Sequence, residues 1–211
     1  MDLAYLMQGL KGTLLIWVGS LALAVLLGVV VAAGRRSHST WVRSIVRIWV
    51  AIVRGIPPLV WMLLLFFGLG WGLLGDSPIF AAVVALGLIN SAYIGDSISA
   101  GLSAVPRGQW EACQAMALPK RVAYLRVILP QAFPIMLASS TAYAISLLKN
   151  TAIASIIGAN EMVFYAYNTV QLGADALTSF FVIGLVYLAF SVPIGFLARW
   201  IEGRSVIAQV R

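Results

Sequence analysis

From Thr13 to Ala33 the chain runs for about 21 residues without a charged side chain. That is the length an α-helix needs to cross the ~30 Å hydrocarbon core of a bilayer. Nothing else in the sequence constrains the fold as strongly, because in hydrocarbon only helices and closed barrels satisfy every backbone N–H and C=O group. Further apolar runs of helical length lie at about 79–105, 131–148 and 177–198, and one more, 42–69, is interrupted by Pro57 and Pro58. The expected fold class is an all-α integral membrane protein with about five transmembrane helices. Composition agrees: 10% of the residues are charged, against roughly a quarter in soluble domains.

The charges between the runs give an orientation. Arg35 and Arg36 end the first run, Lys120, Arg121 and Arg126 precede the fourth, and Arg199, Arg204 and Arg211 follow the last. Gly68 to Pro78 carries only Asp76, and Asn160 to Asp175 carries Glu161 and Asp175 with no lysine or arginine. By the positive-inside rule the N-terminus is expected outside and the C-terminus inside, with Met1 to Gly12 an interfacial lead. A net charge of +7 does not indicate nucleic-acid binding here, because the basic residues are spread among the loops and form no basic domain. One cysteine, Cys113, excludes an internal disulfide framework or a zinc cluster, and one histidine, His38, leaves no pair for haem or metal. The first run is too long for a signal-peptide core. No GxxxxGK[ST] sequence is present, so ATP, if used, must be bound by another chain. No cofactor is expected in this one. An odd, short set of spans without internal repeat points to half of a pore, completed by a second chain.

Two readings compete for residues 39–54. Arg43 and Arg47 share one face, and Trp41, Ile45, Ile48 and Ile52 cluster on another. The segment is either an amphipathic helix on the cytoplasmic interface or the first half of a kinked span from Val42 to Leu69. The paired prolines favour the kink.

A short polar stretch, Gly108 to Ala117, sits between two long apolar segments. With Gly108 as N-cap, Glu111 takes the third helical position, where a carboxylate complements the helix dipole. Trp110, Cys113, Met116 and Ala117 fall on one side at helical spacing, and Pro119 stops the helix. A helix this short is marginal alone and must be docked on something.

Polar residues inside the spans are the remaining candidates. Asp96 is an intramembrane carboxylate, which either lines a cavity or has a buried partner. Lys149 is the evident partner, but the two lie at different depths, and a direct pair needs a broken fourth helix. Asn90 and Tyr93 lie near mid-membrane, where hydrogen bonds between helices are common. Lys149, Asn150 and Thr151 form a polar break that either exposes backbone to a ligand or lets Lys149 snorkel to the surface.

The residues from Trp110 to Leu118 with Ile128, Leu129 and Pro130 resemble the EAA loop of bacterial ABC-importer permeases, Cys113 and Ala117 replacing the usual alanine and glycine. The segment from Ala92 to Ala112, with Arg54-Gly55-Ile56-Pro57 and Lys149-Asn150-Thr151, is similar to the polar amino-acid permeases of the histidine, glutamine and arginine class. Trp61 stands where glutamine is common, Asp96 where glutamate is usual, and Ser99 where that class has arginine. The resemblance implies a single type I importer permease domain over 1–211 with a coupling helix at about 108–118. Its function would be ATP-driven uptake of polar amino acids or close derivatives across the bacterial cytoplasmic membrane. Gly108, Trp110, Glu111, Ala112, Cys113, Met116 and Ala117 would contact the ATPase. Arg54, Pro57, Asn90, Tyr93, Asp96, Lys149, Asn150 and Thr151 would line the pathway. The implied partners are two cytoplasmic ATPases that bind ATP and magnesium, an extracytoplasmic solute-binding protein, and a second permease chain, homologous or identical, in membrane lipid. A stand-alone secondary transporter or channel is the alternative, and it leaves the docking helix without a purpose. A cofactor-bearing membrane anchor is disfavoured by the missing histidine pairs and cysteine clusters.

Overall fold

The computed structural model describes residues 3–68 and 77–209, with side chains as far as Trp200. The loop carrying Asp76, the side chain of Arg204, and Arg211 therefore lie outside the described residues. Eight helical elements follow in order: α1 (Leu3–Arg35), α2 (Thr40–Gly55), α3 (Pro58–Gly68), α4 (Pro78–Ala104), α5 (Arg107–Ala115), α6 (Lys120–Ile157), α7 (Met162–Gln171) and α8 (Ala176–Gln209). No strand occurs among the described residues. α1, α4, α6 and α8 are each long and apolar enough to cross a membrane, and α2 with α3 adds a fifth candidate. α4, at 27 residues, is about 40 Å long at 1.5 Å per residue and exceeds the ~30 Å core.

α4 is the axis of the bundle. Of its most apolar stretch 61% is buried, against 11% for α8, so α8 turns most of its surface outward. The α1–α4 contact uses small residues, as expected where lipid removes the hydrophobic drive and close backbone packing must supply the attraction. Gly28 and Gly95 face each other: a Cβ on Gly28 would lie 2.8 Å from the Ile94 side chain, and one on Gly95 2.6 Å from Val31. Ile16, Met62, Leu86 and Leu147 complete the core around this seam.

Two sequence expectations change. The kinked span does not form as one gently bent helix, because α2 and α3 meet at 99°. Pro57 is extended at φ −56°, ψ 143°, and Pro58 starts α3. Two adjacent prolines remove the donors that would carry the ladder across, so the chain turns instead of kinking. α2 is accordingly a separate amphipathic helix, with Trp41, Ile45, Ile48 and Ile52 exposed along one side. The fourth span begins at Lys120 rather than near Gln131 and runs unbroken past Lys149 to Ile157. A wide π turn over Ala123–Ile128 precedes Pro130, and the polar residues at 149–151 mark only a tightening into 3₁₀ geometry over Thr151–Ile157. The stretch from Asn160 to Asp175 contains a further helix, α7, with Met162 and Ala166 buried one turn apart.

Candidate functional site

Chemistry-bearing residues gather in two places. The first is α5. Its N-cap is Pro106, not Gly108, so Glu111 is the fifth helical residue and lies beyond the first turn, where the dipole acts. The expected dipole contribution at Glu111 is therefore absent. The helix ends in paired bonds: Leu118 N–H to Cys113 O at 3.0 Å and Ala117 N–H to Gln114 O at 2.9 Å. This Schellman arrangement needs a left-handed residue, and Ala117 supplies it at φ 50°. The glycine angle of the EAA pattern is thus kept by an alanine, against a steric cost of about 1–2 kcal/mol.

The expected apolar stripe of α5 is divided. Cys113 is buried and Trp110 half-buried, both against this chain. Trp110 packs with Leu102, Val105 and Ile128, meets Tyr124 edge-on at 5.2 Å, and lies under the Arg36 guanidinium at 5.8 Å. Met116, 71% exposed, faces away, as do Gly108, Glu111 and Ala112. The inward residues hold the helix in place and leave the outer face free for a partner.

The second place is the C-terminal half of α4. Asp96 sits two turns before the end of the helix, about 12 Å from it, and two arginines clasp it. Arg35, in the last turn of α1, comes within 2.7 Å. Arg54, in the last turn of α2, makes an ion pair and hydrogen bond with the other oxygen. Arg54 also donates to the Ala92 carbonyl at 2.9 Å and stacks on Tyr93 at 4.3 Å, while Tyr93 contacts Tyr143 of α6 at 5.0 Å. Asp96 keeps 30% of its side chain exposed. Two cations against one carboxylate leave a positive excess, and the Nε–H groups of both arginines have no partner among the described residues.

Lys149 is not the partner of Asp96. It is exposed, and the ion pairs among the described residues are those with Arg35 and Arg54. An unbroken α6 carries Lys149 toward the opposite end of the bundle. Asn150 is half-buried, and Thr151 is buried and bonded to Leu148 O at 2.7 Å and to Tyr187 at 3.3 Å. Asn90 is buried and donates to Leu86 O within its own helix, not to another helix. Pro57 is exposed at the bend. Sequence reasoning missed Arg35 because it was read only as a topological charge. It also missed Glu161, which is wholly buried although its sequence neighbourhood is a polar connection.

A bundle of membrane-length helices with a charged cluster on α4 and a short helix, α5, packed beside it is the architecture of a multi-pass membrane protein. The family described as binding-protein-dependent transport system inner membrane component matches residues 24–206. The chain belongs to that family, whose members are inner-membrane permease subunits and not themselves catalytic. It is 30% identical to the arginine ABC transporter permease protein ArtM of Haemophilus influenzae, covering 99% of this chain and 95% of that one. It is 28% identical to the histidine/lysine/arginine/ornithine permease protein HisQ of Escherichia coli over 98% and 95% of the two chains. The crystal structure of an amino acid ABC transporter with histidines superposes with a TM-score of 0.86 at 27% identity, covering 95% and 94%. The methionine transporter MetNI, 20% identical over 95% and 99%, shares the fold at a TM-score of 0.77.

Proposed function

We propose that this chain is the transmembrane subunit of an ATP-driven importer that carries polar amino acids or close derivatives into the cell. On this reading the N-terminus faces outside and the C-terminus the cytoplasm. Two cytoplasmic ATPases hold ATP and magnesium, a solute-binding protein delivers substrate from outside, and a second permease chain completes the pore. The observation that carries the reading is the split face of α5. Trp110 and Cys113 anchor the helix on this chain, so Gly108, Glu111, Ala112 and Met116 form a surface that moves with α4 and α6. A push on that surface is transmitted to the spans.

Arg54, Tyr93 and Asp96 are the pathway residues the geometry supports best. The positive excess of the cluster, two guanidinium groups on one carboxylate, suits a carboxylate group of a ligand. Asn90, Lys149, Asn150 and Thr151 are less suited, since their side chains are committed elsewhere or lie away from this cluster.

Glu111→Ala tests the coupling role. A carboxylate that becomes paired in an interface typically contributes about 2–5 kcal/mol when its partner would otherwise be stranded. The variant should insert normally, lose co-purification of the ATPase and lose substrate uptake in proteoliposomes. Full ATPase binding with full transport would remove Glu111 from the coupling surface.

A further inference from the structure

At the end of the bundle away from α5 lies a carboxylate with no counter-ion among the described residues. Glu161 is fully buried. One oxygen caps α7, accepting the Phe164 N–H at 2.7 Å, and the other accepts the Tyr187 hydroxyl of α8 at 3.1 Å. The Tyr187 oxygen also touches Thr151 Oγ1 at 3.3 Å. The Met162 N–H donates to Thr13 Oγ1 of α1 at 3.1 Å. α1 presses so closely here that a Cβ on Gly12 would sit 1.9 Å from the Asn160 carbonyl. Four elements, α1, α6, α7 and α8, therefore converge on one acid.

The protons in this cluster can be counted. Thr151 spends its hydrogen on the Leu148 carbonyl at 2.7 Å. The Thr151–Tyr187 contact then needs the hydrogen of Tyr187. That same hydrogen is the one offered to Glu161 when the carboxylate is ionised, and a tyrosine has only one. Along the chain Leu148–Thr151–Tyr187–Glu161 three contacts share two hydroxyl hydrogens when Glu161 is ionised, and have three when it is protonated. The Thr13 hydroxyl and the Val163 N–H also reach the carboxyl group in either state.

We propose that Glu161 is a proton-binding site, and that its protonated form clamps α1, α6, α7 and α8 together at this end of the bundle. Glu161 donates to Tyr187, Tyr187 to Thr151, and Thr151 to Leu148, in a relay that takes one proton from the water phase. No lysine or arginine pairs with Glu161 among the described residues. The titratable groups on the surrounding elements near this end are Tyr5 and the exposed Lys11 on α1, the exposed Lys149 on α6, Tyr165 and the exposed Tyr167 on α7, and Tyr187 with the exposed Asp175 at α8; Arg35, Lys120, Arg121, Tyr124, Arg126, Tyr143 and Arg199 lie further along α1, α6 and α8. Tyr5 and Tyr165 are engaged edge-on with each other at 5.1 Å. Burial pushes the Glu161 carboxyl up to about 7, so the clamp responds in the neutral range. Because the folded state holds this proton more tightly than the unfolded chain, the stabilisation is complete below about 4.5 and is lost as pH rises through about 7. On the importer reading, on which the position but not the chemistry rests, this end receives the solute-binding protein.

The test uses the purified full-length chain in nanodiscs, without ATPase. Wild-type melting temperature should fall between about pH 5 and about pH 8.5, whereas Glu161→Gln, which reproduces the donor and acceptor of the protonated acid, should show a flat profile above wild type at high pH. Infrared spectra at low pH should show a protonated-carboxyl band that Glu161→Gln lacks. Parallel profiles, or no such band, would overturn the proposal. Should Glu161→Gln not fold, Tyr187→Phe keeps the acid and removes the hydroxyl that links it to Thr151, and the midpoint should shift. An unmoved midpoint counts against the relay. Since the permease alone is measured, these outcomes are independent of the Glu111→Ala coupling experiment.

Discussion

Asp96 and Glu161 are carboxylates placed inside the same helical bundle, and the fold deals with them in opposite ways. Asp96 stands at the end of the bundle beside α5, partly open, between Arg35 and Arg54. Glu161 stands at the far end, closed off, among hydroxyls and amides. A charge in a low-dielectric site must either be paired or be neutralised. Asp96 takes the first course and Glu161 the second. The difference follows from which helix ends reach each site: arginines terminate α1 and α2 at the end beside α5, whereas threonine and tyrosine side chains meet at the other. It also separates their roles, since a paired charge with spare donors can exchange partners with a ligand, and a neutral relay can only open or close.

The largest expected effect breaks the paired site. Asp96→Asn leaves two guanidinium groups facing each other without a carboxylate. Losing one member of a buried pair costs about 3–5 kcal/mol, and the partial exposure here lowers the expectation to about 2–4 kcal/mol. A lower melting temperature should result, and Arg54→Gln in the same background should restore part of it. A single mutant as stable as wild type would place Asp96 with ordinary surface pairs.

Glu161→Gln should act in the opposite direction. Between about 4.5 and about 7 the acid's raised titration corresponds to roughly 3 kcal/mol at 1.36 kcal/mol per unit. Glutamine should recover a gain of that order at about pH 8 and none at about pH 5, which thermal melts at the two pH values will show. Salt should weaken the Asp96 cluster, which touches solvent, and leave the Glu161 melting profile in place.

Gly12→Ala tests the closed site from its other wall. The new methyl would meet the backbone of Asn160, which cannot rotate away, so overpacking of about 1–3 kcal/mol is expected. The pH profile should flatten as well if the clamp depends on that contact. The smallest effect serves as a reference outside both sites: Ala117→Gly relieves the left-handed angle at φ 50° and should stabilise by about 1 kcal/mol, with coupling retained. Any loss of stability there would mean that the angle is not the constraint.

Much of the fold could be read from residues alone. The predicted 79–105 span is observed as Pro78–Ala104, because a run of apolar side chains must match the thickness of the membrane whatever its neighbours do. The position of α5 was equally legible, since Pro106 and Pro119 bracket a polar stretch. Its register was not, because Pro106 rather than Gly108 begins the helix. The charge partners of Asp96 were also out of reach. Sequence offered Lys149 by elimination, but pairing depends on where three helix ends arrive, and the 99° turn after Gly55 is what brings Arg54 to Asp96.

By itself, then, the sequence determined the medium, the length of the spans and the place of the short helix between α4 and α6, because hydrophobicity and backbone satisfaction act locally along a chain. Only tertiary structure decided which face of α5 is free, which cations hold Asp96, and that Glu161 lies buried without one. Each of these is a matter of distance between segments remote in sequence, and electrostatic and hydrogen-bond energies are set by that distance and by the exclusion of water, neither of which a linear pattern contains.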